Sequence, residues 1–449
     1  MRSARNLLGR TFSGRRLTVN DDSLGAQQDD GEANRPRPAY EIVLDKLKNN
    51  YNVFFTELIL GDETIGVDYI LLLRALCYNT TVRHVTIGNN FLGTFNTDEI
   101  RILLEVVGGM PKLENLSIFF FPEMQVKAKT VANVLNRTKN LKELHFYDLE
   151  LAGDDYDLEP LGEAVEALRN LRIISLNQLG LEEGEGEMIS PDHLVNSLSR
   201  LPLLEEVIIS TRRTLNWDDD SLGSLCKSET MKSLNLKNMN LSSSQVSSIS
   251  TALQENPSVT HLHLSDCGIQ PEGWRSLASI LPENETLLHL DLSQCKELDD
   301  DGCTAIATCM EENVGLKTLQ LHNDDKASKV TSRGVAALFR MLEKNTALEC
   351  LEVSYQGDDS SGFKAVAEAL SRNDSLKKLY LENHGEGVDT SGVVAIGKAL
   401  ESGNTALEKI AIIYDGADDE GVIALAQAMQ KSSSLKHFTF NKAEYRSHK

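Results

Sequence analysis

Leu316-Lys317-Thr318-Leu319-Gln320-Leu321 decides how this chain folds. Its leucines stand at positions one, four and six. Positions four and six alternate as one face of a short strand, with position five on the other. From about Val53 onward the same spacing keeps returning. Before it come Phe55-Leu58-Leu60, Val82-Val85-Ile87, Leu113-Leu116-Ile118, Leu141-Leu144-Phe146, Leu171-Ile174-Leu176, Leu204-Val207-Ile209, Met231-Leu234-Leu236, Val259-Leu262-Leu264 and Leu287-Leu290-Leu292. After it come Leu348-Leu351-Val353, Leu376-Leu379-Leu381, Leu407-Ile410-Ile412 and Leu435-Phe438-Phe440. The fourteen copies begin 27 to 33 residues apart, most often 28.

Each strand is followed by a polar loop and then by a helical pattern. In Gly334-Val335-Ala336-Ala337-Leu338-Phe339-Arg340-Met341-Leu342 the apolar residues recur at three and four, which turns one helix face onto the strand layer. Gly273, Gly302, Gly334, Gly362, Gly392 and Gly421 recur near the helix start, and Asp300, Ser332, Ser361, Thr390 and Asp419 stand close to where an N-cap belongs. Asn52, Asn79, Asn256, Asn284, Asn313, Asn345, Asn373 and Asn404 each precede a triplet by three residues. Asn tolerates the left-handed conformation, so these residues are expected to end each helix in it. No unit buries its face alone; stacking supplies one elongated core.

This repeat, Leu-x-x-Leu-x-Leu with a full helix per unit, resembles the ribonuclease-inhibitor-like class of leucine-rich repeats. That class also occurs in Ran GTPase-activating protein and in the repeat regions of NOD-like receptors. The resemblance implies a right-handed α/β solenoid, a horseshoe of about fourteen repeats with a parallel concave sheet and outer helices, over residues 53–449. In that class the position three after the triplet is an inward Asn or Cys. Here Asn90, Cys267 and Cys295 keep it, while Phe121, Leu149, Leu179, Arg212 and Asp324 do not, so repeats three to seven are the eroded stretch. The function implied is a non-catalytic protein-interaction scaffold. Two alternatives from the same class are a Ran-type GTPase-activating protein and an inhibitor of a basic enzyme. The first departs from its family in ending on Lys442, Arg446 and Lys449 rather than in acids, and the second is far richer in cysteine.

The 449 residues carry a formal charge of −22. So acidic a surface disfavours nucleic acid and favours a protein partner of basic character. The seven cysteines are scattered without a CxxC pair, which reads as reduced, packed thiols in a cytoplasmic protein. No apolar run approaches the roughly 18 residues of a membrane span. Residues 1–38 read as a disordered tail, Arg-rich and then acidic, and 39–52 as a capping helix. Arg10-Thr11-Phe12-Ser13 in the acid-free start also fits a mitochondrial processing site, the alternative address.

No phosphate loop, HExxH or GxSxG motif is present, so no catalytic residue, cofactor or metal is assigned. His261, His263, His289 and Asp291 would be neighbours on adjacent strands, and they read as surface polar pairs rather than metal ligands. Cys267 and Cys295 read as packed thiols rather than a redox pair. Two aromatic clusters on the concave strands are the candidate partner-binding residues: Phe119, Phe120, His145 and Tyr147, then Tyr355, Tyr380 and Tyr414. Beside them an acidic rim is expected from the loops after the strands, with Asp299, Asp300, Asp301, Asp358 and Asp359 at its centre. Asp154, Asp155, Asp157, Glu182, Glu183, Glu185, Glu187, Asp218–Asp220, Asp324, Asp325, Asp418, Asp419 and Glu420 extend it.

Overall fold

The computed structural model describes Glu41, Leu44, Asp45 and Leu47, and residues 56–62, 68–121, 124–152, 158–181, 190–212, 215–256, 258–324, 328–385, 390–414, 419–441 and 443–446. The expected tail, 1–38, lies outside them. Of the expected capping helix the four described residues are helical, and Leu44 and Leu47 are buried.

In each of the fourteen triplets the second residue lies on a strand, and successive strands pair in parallel with these residues in register. Leu234 stands beside Leu262, Leu262 beside Leu290, Leu290 beside Leu319, and Leu319 beside Leu351. Leu262, Leu290, Leu319 and Leu351 are all buried in one core that runs the length of the array. The sheet closes on an antiparallel strand, Ala443–Arg446, paired with His437–Phe440. Helices such as Asp300–Met310, Ser332–Met341 and Ser361–Leu370 pack beside one another behind the strands. Their start glycines mark close approach. A Cβ on Gly392 would lie 2.4 Å from the Cβ of Phe363 in the preceding helix. The caps fall within one residue of expectation: Asp299 accepts from the Gly302 N–H, and Thr331 from that of Arg333.

The asparagines before the triplets work differently from the expectation. Asn79 and Asn256 cap their helices at φ −74° and −123°, which is not left-handed backbone. Their use lies in the side chain. Asn345 donates from Nδ2 to the carbonyls of Met310 (2.7 Å) and Asn313 (2.9 Å), and its Oδ1 accepts from the N–H groups of Ala347 (3.0 Å) and Leu348 (2.8 Å). Asn313, Asn373 and Asn404 repeat the motif, each donating to the carbonyl of the asparagine one repeat earlier. The result is a buried asparagine ladder through repeats nine to thirteen. Asn52 lies outside the described residues.

The eroded repeats solve the loop problem by another route. Gln125–Lys127 and Glu150–Ala152 form a second small parallel sheet with the end of strand Ile173–Leu181, so loop backbone pairs with loop backbone. Leu149 and Leu179, which replace the inward Asn or Cys, are buried there. Asn90, by contrast, is exposed and donates to Asp62 rather than pointing inward. Cys267 and Cys295 are buried and donate to the Leu236 and Leu264 carbonyls (3.4 and 3.2 Å), as packed thiols should.

Burial pushes the thiols of Cys226 and Cys295 up to about 12 and about 11, and raises Cys267 and Cys303 also, so little thiolate exists to react. Cys77 is exposed. A thiol-specific reagent on the folded chain is therefore expected to modify Cys77 first, with Cys226, Cys267, Cys295 and Cys303 reacting only on denaturation. Mass mapping of labelled sites with and without denaturant checks this.

Candidate functional site on the open sheet face and its loop rim

Strand period decides which aromatic side chains reach the open face. Phe119 and Tyr147 stand one residue beyond their triplets, on adjacent strands and in register. Their rings stack with centroids 4.1 Å apart and planes within 1°, and both are half-buried. His145 lies beside them, its Nε2 3.8 Å from the Glu143 carboxylate. Hydrogen bonding to His145 lowers the Glu143 pKa despite partial burial.

Phe120, Tyr355 and Tyr414 are a correction: none of them lies on the open face. They are 1%, 0% and 3% exposed, two residues beyond their triplets. In repeats four, five, seven, eight and nine that position turns left-handed and holds Asp148, Gln178, Asn238, Asp266 and Gln294. A bulky ring is poorly suited to that turn, so strands Cys350–Tyr355 and Lys409–Tyr414 run on to their tyrosines, Phe120 directly follows strand Asn115–Phe119, and the strand alternation carries each side chain inward. Phe120 meets Phe146, and Tyr355 and Tyr414 pack against Phe363 of helix Ser361–Leu370. The aromatic at this position was the sequence signal for strand continuation.

The rim acids are also less free than expected. Asp299 caps its helix, and Asp359 accepts from the Ser361 N–H and hydroxyl (2.9 and 2.6 Å). Asp300 is a second correction. It is 8% exposed, and it accepts from Thr331 N (2.7 Å), Thr331 Oγ1 (2.7 Å), Arg333 Nε (3.2 Å) and Gly334 N (2.9 Å). It ties two repeats together instead of facing a partner. Asp301 and Asp358 are exposed, with Asp301 2.9 Å from Arg333. Asp219 and Asp220 accept from serines of the next repeat. Asp154, Asp155, Asp157, Glu182, Glu183, Glu185, Glu187, Asp325 and Asp418 lie outside the described residues.

Of the second aromatic cluster only Tyr380 stays on the face, half-buried, and it sits in a polar group that sequence reasoning missed. Its hydroxyl donates to Glu382 (2.9 Å), and its ring meets His322 edge-on at 4.9 Å. His322, Ser354 and Glu382 hold the same place in repeats ten, eleven and twelve, one residue beyond the triplet. Aligning that position across repeats would have shown them together. Farther back, His261 and His289 stack at 4.3 Å, and His263 Nδ1 lies 3.4 Å from Asp291, the pairing expected from register. Burial, then the neighbouring histidines, lowers the pKa of His261 and His289.

A family model described as Leucine Rich repeat matches residues 255–278 and 283–307. Among curated proteins, human NACHT, LRR and PYD domains-containing protein 14 is 28% identical over 296 residues, covering 65% of this chain and 26% of that protein. Human NACHT, LRR and PYD domains-containing protein 13 is 29% identical over 197 residues, 43% of this chain and 18% of that one. The chain thus spans about a quarter or less of the length of these relatives. Among solved structures, an internalin from Listeria monocytogenes aligns over 92% of this chain and 99% of its own at 15% identity and TM-score 0.44. The leiomodin-1 actin-binding site 2 aligns over 34% and 86% at 22% identity and TM-score 0.29.

Proposed function

We propose that this leucine-rich-repeat protein is a non-catalytic protein-binding scaffold, gripping its partner with the concave face and the loop rim beside it. One observation carries the reading: the stacked Phe119–Tyr147 pair lies on the open side of the sheet. Aromatic rings supply large contact area at low entropic cost and dominate binding hot spots, whereas a solvated sheet face gains nothing from displaying them. The formal charge of −22 supports a partner of basic character, since complementary charge speeds encounter and disfavours wrong partners.

The test compares affinity capture by the wild type and by a Phe119→Ser/Tyr147→Ser variant, at low and high salt. The expected result is a specific protein held by the wild type, released as salt rises, and lost from the variant while thermal melting is unchanged. Equal recovery by both, or no specific recovery at either salt, sinks the reading.

A further inference from the structure

We propose that His322, Asp324 and Glu382 bind one divalent transition-metal ion of the Zn2+ class on the loop rim of repeats ten to twelve. A donor atom from each lies within 4.8 Å of the others. Zinc bonds to nitrogen and oxygen near about 2.1 Å bring ligand atoms closer than that. The residue that must move is Asp324, whose side chain is 79% exposed, whereas those of His322 and Glu382 are 19% and 16% exposed.

The two half-buried donors are already oriented. The Ser354 hydroxyl lies 2.6 Å from His322 Nδ1, Nε2 lies 2.7 Å from Asp324 Oδ1, and Glu382 Oε2 stands 3.7 Å from Nδ1. Ligating histidines are ordinarily fixed through their second nitrogen in this way. Tyr380 fixes Glu382 by donating to Oε2.

His384, whose side chain is 10% exposed, lies beside the group, with its Nε2 2.8 Å from the Asn323 carbonyl and its Nδ1 3.8 Å from Glu382 Oε1. Among the described residues, the ion-pair partners of Asp324 and Glu382 are histidines.

Imidazole together with carboxylate suits zinc-class ions better than Mg2+ or Ca2+, which prefer all-oxygen sites. His261 and His289 offer no such convergence, because their rings stack on each other. A bound ion would clamp the loop of repeat ten to the strand end of repeat twelve.

The test titrates metal-stripped, untagged full-length protein with Zn2+ in competition with a chromogenic chelator, and with Mg2+ in parallel. One Zn2+ per chain is expected, with a rise in melting temperature that Mg2+ does not reproduce. Glu382→Gln and His322→Asn should each weaken Zn2+ binding by about tenfold or more, and a His261→Asn/His289→Asn variant should bind as the wild type does. Metal-free melting and circular dichroism establish that each variant is folded. Should Glu382→Gln and His322→Asn fail to fold, the exposed Asp324→Asn carries the same criterion. Absence of Zn2+ binding by the wild type, or binding that the site variants leave unchanged or that requires His261 and His289, overturns the proposal.

Discussion

Asn345→Ala is expected to destabilise the array by on the order of 3 kcal/mol, among the largest effects of any single polar substitution here. Asn345 is 1% exposed and makes four hydrogen bonds, two given and two received. Alanine leaves the Leu348 N–H and the Met310 carbonyl buried without those partners, and no water reaches them cheaply. Urea unfolding followed by circular dichroism should show the loss. In a linear array the damage falls on the interfaces with neighbouring repeats, so the transition should also broaden or split. Asn345→Asp supplies a diagnostic. It keeps the shape but sets a carboxylate against two carbonyls, which raises its pKa in the fold. Its stability should therefore increase as pH falls through that raised value, the reverse of an acid such as Asp300 whose hydrogen bonds depress its pKa. An Asn345→Ala variant as stable as the wild type would show the ladder to be incidental.

Asp300→Asn is the second large effect. Burial by itself raises the Asp300 pKa, and hydrogen bonds from Thr331, Arg333 and Gly334 outweigh it, so the net shift is downward. A depressed folded pKa contributes stability that is present above the unfolded value, about 3.9, and is lost as pH drops toward the folded one. Asparagine keeps one acceptor but turns an amide N–H2 toward donors. The variant should be less stable than the wild type by on the order of 2 kcal/mol near pH 7. The gap should close below about pH 4, as the wild-type acid itself protonates. Melting temperatures of both proteins across that range measure it, and a gap independent of pH would contradict the assignment.

Most of the fold was legible because it rests on one-dimensional spacing. A triplet whose first two members are three residues apart, returning every 27 to 33 residues, specifies strand, register and stacking direction at once. The asparagine positions were legible too, but their mechanism was not. Spacing shows that Asn stands before the triplet, and it does not show whether backbone or side chain needs it. The functional face was harder because it depends on where each strand stops. Phe119 and Phe120 are adjacent in sequence yet lie on opposite sides of the sheet. Asp300 looked like its exposed neighbour Asp301 until Thr331, Arg333 and Gly334 closed over it. His322 and Glu382 stand two repeats apart, at the same place just beyond their triplets, and their meeting across Ser354 of the intervening strand shows only when repeats are aligned with one another.

The asparagine ladder has a further consequence for where this chain can vary. Its rungs are joined through sequence gaps of 29, 32, 28 and 31 residues, yet each rung makes the same bond. The ladder therefore acts as a ruler that fixes spacing on one edge and is indifferent to the length of chain between marks. Extra residues have to emerge elsewhere, between the end of a strand and the start of its helix. That edge carries His322, Asp324 and Glu382. The fold thus separates a measured side from an improvised one, and new loop chemistry can be acquired on the second without retuning the first.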